Sequence, residues 1–151
     1  MLKLRIVALS FAVALAVTAL GAENTVVYPA KTGAGAGKHI VLISGDEEYR
    51  SEEGLPMLAK ILSQRHGFKC TVLFSLAADG TIDPNNGGSL AGSEALDSAD
   101  AIVMLLRFRH WPDEAMARFE KAYLAGKPII GLRTSTHAFN YGICVNSDFQ
   151  H

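Results

Sequence analysis

Three short segments hold most of the residues able to do chemistry: Asp46-Glu47-Glu48-Tyr49-Arg50, Arg107-Phe108-Arg109-His110-Trp111 and Arg133-Thr134-Ser135-Thr136-His137. Carboxylates beside arginines and histidines hold one another ionised, bind a polar ligand or move protons, because an opposite charge favours the charged form while burial opposes it. The same residue types also serve as helix-entry acids and surface ion pairs. The candidates for ligand binding are Asp46, Glu47, Glu48, Arg109 and Arg133, and those for catalysis are His137, Ser135 and His110. Arg133 leads the first set, since a guanidinium directly after an apolar strand is costly unless carboxylates or a ligand meet it. His137 is the candidate proton carrier, because histidine titrates near neutral pH. Thr134, Ser135 or Thr136 beside His137 has the composition of a nucleophile and base on a strand-to-helix turn, and equally that of a helix N-cap. His110 and His137 with Asp46 or Glu48 supply the donor types of a divalent-metal site. No metal-ligand spacing accompanies them, so neither metal nor cofactor is expected.

The elements between these segments explain why they should meet. Residues 39–45, 70–74, 101–106 and 128–132 are apolar and β-branched runs closed by glycine or polar residues, as strands covered on both faces require. Leu55, Leu58, Ala59, Ile61 and Leu62 recur at helical spacing, with Ser51 as cap, Glu52 and Glu53 as first-turn acids and Gly67 as C-cap. Pro112, Asp113 and Glu114 open a second helix that carries Met116, Phe119 and Tyr123 on one side and ends at Gly126. Residues 76–98 are rich in Gly, Asp, Asn and Ser and read as exposed loop, with one helical turn at 93–96. Alternating strands and helices give an α/β fold, a doubly wound parallel sheet of flavodoxin-like type. In such sheets the ligand crevice lies beyond the carboxyl ends of the strands. All three polar segments leave those ends.

The chain opens with Lys3 and Arg5, continues through an apolar stretch from Ile6 to Leu20 and reaches small residues at Gly21 and Ala22. That order is a secretory signal over residues 1–22, and the apolar run is short of the roughly 20 residues of a spanning helix. The protein is therefore expected to be secreted or periplasmic, with no stable membrane anchor after cleavage. Residues 23–37, with Gly33, Gly35 and Gly37 alternating, read as a flexible linker, and residues 38–151 as the folded domain. The formal net charge is −1, and loss of Lys3 and Arg5 leaves the remainder more acidic. An acidic chain without a basic run excludes nucleic acid as the expected partner. A small-molecule ligand, a sugar foremost, is expected instead, with homo-oligomerisation open. Cys70 and Cys144 are either a disulfide of an exported protein or isolated thiols.

The residues 43–53 (Ile-Ser-Gly-Asp-Glu-Glu-Tyr-Arg-Ser-Glu-Glu), 107–112 (Arg-Phe-Arg-His-Trp-Pro) and 131–139 (Gly-Leu-Arg-Thr-Ser-Thr-His-Ala-Phe) together resemble the ThuA-like (trehalose utilisation) family, in particular secreted bacterial members of planctomycete type. The resemblance covers residues 39 to about 141. It implies a class I glutamine amidotransferase-like fold, an association with carbohydrate metabolism and a full domain extending past residue 151, in keeping with a pattern of four strands that lacks closing elements. The catalytic cysteine of amidotransferases would fall at Arg133, so cysteine-dependent glutamine hydrolysis is not expected. Arg133 and Thr134 also replace the His-Ser pair found at this turn in other ThuA-like members. The function implied is a secreted domain that acts on or binds a carbohydrate or related polar small molecule. The alternative is a catalytically inactive binding or interaction module, because a fold alone fixes no activity.

Overall fold

The computed structural model describes residues 24–143 and 147–149. Residues 1–22, read above as a signal segment, and Cys144 lie outside the described residues. The chain is an α/β fold built on one mixed five-stranded sheet: β1 (Thr25–Tyr28), β2 (His39–Gly45), β3 (Lys69–Leu73), β4 (Ala101–Leu106) and β5 (Ile129–Gly131), in the order β1-β3-β2-β4-β5. Neighbours β3, β2, β4 and β5 are parallel, whereas β1 runs antiparallel to β3 with Thr25 opposite Leu73 and Tyr28 opposite Cys70.

Every residue of β2 is buried, which is why its sequence shows no polar alternation. Ile40 and Leu42 face one side with Leu55 and Ala59 of α1 (Ser51–His66). Val41 and Ile43 face the other, with Ala115, Phe119 and Ala122 of α2 (Asp113–Leu124). Val41, Leu42 and Ile43 are wholly removed from solvent, each worth roughly 1.5–3 kcal/mol of apolar burial. One helix per face follows directly from the strand pleat, since successive side chains point to opposite sides.

The described structure corrects three expectations. Of the linker expected over 23–37, the described residues 24–37 are not a tether. They carry β1, and Gly33 and Gly35 are glycine because the backbone lies against the end of α1, where an added Cβ would stand 2.5 Å from the His66 carbonyl oxygen and 2.5 Å from the Phe68 ring respectively. The sheet is mixed rather than wholly parallel, because that same segment supplies an antiparallel edge. Ser51 does not cap α1 from the N-cap position; it is the first helical residue, and its hydroxyl accepts the Asp46 N–H at 2.8 Å and donates to the Asp46 carbonyl at 3.0 Å. Gly67 does terminate α1 in the left-handed region, at φ 85°. Phe119 is buried as its spacing implies, but Tyr123 is 65% exposed. Cys70 is fully buried, and burial pushes its thiol up to about 11.

At the amino end of β2, His39 ties three segments together. Its Nε2 meets Thr71 Oγ1 at 2.9 Å, its Nδ1 lies 3.1 Å from Ser98 Oγ, and its backbone N–H donates to Asp100 Oδ2 at 2.8 Å. Burial first, and Lys69 second, lower its pKa from the ordinary 6.5. The unfolded chain therefore takes up this proton at a higher pH than the native chain, and stability is full above about pH 6.5 and falls as the pH drops below it. Thermal melts between pH 8 and 5 should show this decline beginning above the carboxylate range, and a His39→Gln variant should be less stable at pH 8 but show a flatter decline.

Candidate functional site

Strand order reverses at β2. From β2 the chain passes through α1 to β3 on one side, and from β3 it returns to β4 on the other. The loops leaving β2 and β4 thus diverge to opposite faces at the carboxyl edge, the place where open α/β sheets accept ligands.

The β2 loop is organised by Asp46, which has no solvent exposure. Its Oδ1 accepts the N–H groups of Glu48 at 2.8 Å and Tyr49 at 3.0 Å, and its Oδ2 accepts the Thr134 hydroxyl. Burial of a carboxylate demands such donors. Ser44 reinforces the loop by donating to Ser51 Oγ at 2.9 Å. Asp46 therefore joins the loop after β2 to the turn after β5.

Glu47 joins β2 to β4. One carboxylate oxygen accepts Arg107 Nη1 and the other accepts Arg109 Nη2 at 3.2 Å. Arg107 Nε also faces Glu48 Oε2 at 3.4 Å. Arg109 is the buried member, 3% exposed, and its remaining donors reach the carbonyls of Arg107 at 2.6 Å and Pro84 at 2.9 Å. Desolvation lowers its pKa, and the Glu47 charge opposes that shift. Gly45 makes room for this side chain, since a Cβ there would stand 3.0 Å from Arg109 Cδ.

The turn after β5 is a five-residue 3₁₀ helix, Arg133–His137. Ser135 Oγ accepts the Leu106 N–H at 3.1 Å and donates to the Met104 carbonyl at 3.0 Å. It bonds to β4 much as a further strand residue would, and it is neither an N-cap nor an available nucleophile. Arg133 is exposed, with its guanidinium carbon 3.8 Å from the centre of the Tyr49 ring. The expectation of a costly guanidinium that carboxylates or a ligand must meet is corrected in its premise: the chain emerges to solvent at this residue, and no burial has to be compensated. His137 is also exposed, stacked on Phe108 at 5.0 Å between ring centres, with Nδ1 3.2 Å from Thr136 Oγ1. His110 packs against Gly87, where a Cβ would stand 2.7 Å from its Cε1, and its Nδ1 is buried without a partner among the described residues.

Asp46, Glu47, Glu48 and Arg109 thus form one network, to which Arg107 and Thr134 belong. Arg133, His137 and His110 surround it without joining it. Residues 76–98 contribute more than an exposed loop would: Pro84 accepts from Arg109, and the Gly87 carbonyl accepts the His110 N–H at 2.9 Å. A cavity of about 430 Å³ borders His137, but its other walls include Met104, Phe119, Ile129 and Phe139, and the β2 loop does not line it. Among the described residues no group of three or more His, Cys, Asp or Glu side chains is placed to hold a metal ion.

Among the described residues, three non-glycine residues adopt left-handed backbone geometry: Arg50 at φ 51°, Phe108 at φ 53° and Arg133 at φ 48°. One lies on each segment that leaves β2, β4 and β5. Tyr49, Arg107 and Phe108 received no role from sequence reasoning; the alternation of Arg107 and Arg109 around an aromatic was the available signal. The chain matches no protein-family model, no curated protein and no solved structure.

Replacing Thr134 by valine keeps the side-chain shape but leaves a buried oxygen of Asp46 without its donor. The expected loss is about 1–3 kcal/mol of unfolding free energy, read from urea denaturation, with Thr134→Ser retaining most of the stability.

Proposed function

We propose that the carboxyl edge of the sheet binds a polar small molecule, a carbohydrate foremost, and that the chain is a secreted ThuA-like domain with a class I glutamine amidotransferase-like form of the α/β fold. The observation that carries this reading is the left-handed geometry of Arg50, Phe108 and Arg133. Each such residue costs on the order of 1–3 kcal/mol, and outliers of this kind cluster at ligand clamps and active sites. Three of them at one edge, beside a charge network spanning three segments, favour a retained binding site over an incidental surface. The parallel order of β3-β2-β4-β5 and the left-handed turn at Arg133, where the resemblance places the amidotransferase cysteine, support the finer fold reading. Arg133 itself speaks against glutamine hydrolysis at that turn.

A catalytically silent module has its own support. Ser135 is committed to the β4 backbone, Thr134 to Asp46, and Glu47 to two arginines. Proton transfer would then rest on His137 and His110 alone. Incubating the full chain with a panel of neutral and oxidised sugars, read both by heat-shift and by product formation, separates the two readings. Binding with turnover supports an enzyme, binding without turnover supports the module, and a protein that binds no member of the panel refutes the carbohydrate reading.

Export has a separate test. Amino-terminal sequencing of protein recovered outside the cytoplasm should give a start near Ala22 or Glu23. A soluble cytoplasmic product that retains Met1 would contradict export.

A further inference from the structure

The acids at the carboxyl edge already have their donors. Asp46 accepts two backbone N–H groups and Thr134, Glu47 holds Arg107 and Arg109, and Glu48 faces Arg107. Arg50 is paired with Glu53. Arg133 is different: among the described residues no carboxylate lies within ion-pair distance of it, and its partner is the face of Tyr49. Stacking on a ring engages one face of a guanidinium and leaves in-plane N–H groups free to meet a second partner.

The groups around Arg133 are linked in turn. Tyr49 follows Glu48, Glu48 faces Arg107, the Arg107 guanidinium carbon lies 4.9 Å from the Phe108 ring centre, and Phe108 stacks with His137 on the same 3₁₀ turn as Arg133. Phe108 and Tyr49 are 43% and 37% exposed. Arg133 and His137 are separated by on the order of 8 Å along a 3₁₀ turn, a distance that one hexose unit with its substituents covers. What the rim has to offer is therefore a forked cation that no acid among the described residues meets.

We propose that this rim takes a sugar carrying a single carboxylate, a uronic acid, with the carboxylate on the Arg133 guanidinium. The inference rests on the carbohydrate reading above and narrows it. A planar carboxylate matches the guanidinium fork with two parallel hydrogen bonds. A phosphate dianion would offer the same fork, but Asp46, Glu47 and Glu48 stand on the neighbouring loop and oppose the second negative charge. The ligand supplies the carboxylate that the chain withholds from this one arginine.

Calorimetric titration of the full chain with D-glucuronate, D-glucose and D-glucose 6-phosphate tests the assignment. Glucuronate should bind about tenfold or more tightly than glucose, and the advantage should shrink as salt is raised from about 50 to about 500 mM. Arg133→Gly, which accepts the left-handed geometry, should bring glucuronate down to the glucose level while the melting temperature stays within a few degrees of the parent. Arg133→Lys should keep only part of the preference. Equal binding of glucose and glucuronate overturns the carboxylate assignment and leaves the carbohydrate reading standing. Tighter binding of the phosphate, or a preference that survives Arg133→Gly, also overturns it. Failure of all three to bind removes both this proposal and the support for a sugar site.

Discussion

A carboxylate with no access to water, at the end of the most buried strand, sets the terms for the carboxyl edge. Removing Asp46 from solvent costs on the order of several kcal/mol unless donors replace the lost hydration. The donors it collects come from its own loop and from the turn after β5. That requirement makes the Glu48 and Tyr49 amides converge on one oxygen, places Glu47 toward β4 and leaves Tyr49 beneath Arg133. Arg109 imposes the matching demand from β4: a buried guanidinium needs an acid and carbonyls, and it takes them from Glu47, Arg107 and Pro84. The edge is thus held by two buried charges of opposite sign that never touch, each drawing in a different set of loops.

This division explains what surrounds the network. Groups that satisfy Asp46 and Arg109 are spent on structure, and the groups left over are those that the backbone turns outward. Phe108 shows how. Its amide donates to the His137 carbonyl at 3.1 Å, the Arg109 amide donates to the Ala138 carbonyl at 2.6 Å, and Asn140 returns a bond to the Arg109 carbonyl at 2.8 Å. Strand-like bonding on both sides of Arg109 draws the arginine inward, and the left-handed kink at Phe108 sends its ring out to solvent.

The central strands and the two helices were legible because burial on both faces writes itself as unbroken apolar runs and helical spacing. Val41 to Ile43 and Ile102 to Leu106 carried that signal, and Gly67 and Gly126 marked helix ends by the need for positive φ. β1 was not legible. Its strand spans only four residues, two of them exposed, and the glycines after it signal flexibility and close packing with the same letter. The convergence of three polar segments could be read from parallel topology, since all outgoing loops leave one edge. Which groups pair there could not: Thr134 and Ser135 are adjacent and chemically alike, yet one faces a carboxylate and the other a strand backbone. Arg133 was singled out for the wrong reason, as burial that the turn avoids.

The glycine-lined packing of residues 33–35 against α1 also bears on where this domain can be cut. A chain begun at residue 38 would lose β1 and bare the outer edge of β3, whose residues Cys70 to Leu73 are all buried in the intact sheet. An uncovered, apolar strand edge is a template for pairing between molecules. The stretch that resembles dispensable spacer in composition thereby acts as the sheet's guard against aggregation, and a recombinant boundary drawn at the first obvious strand would discard it.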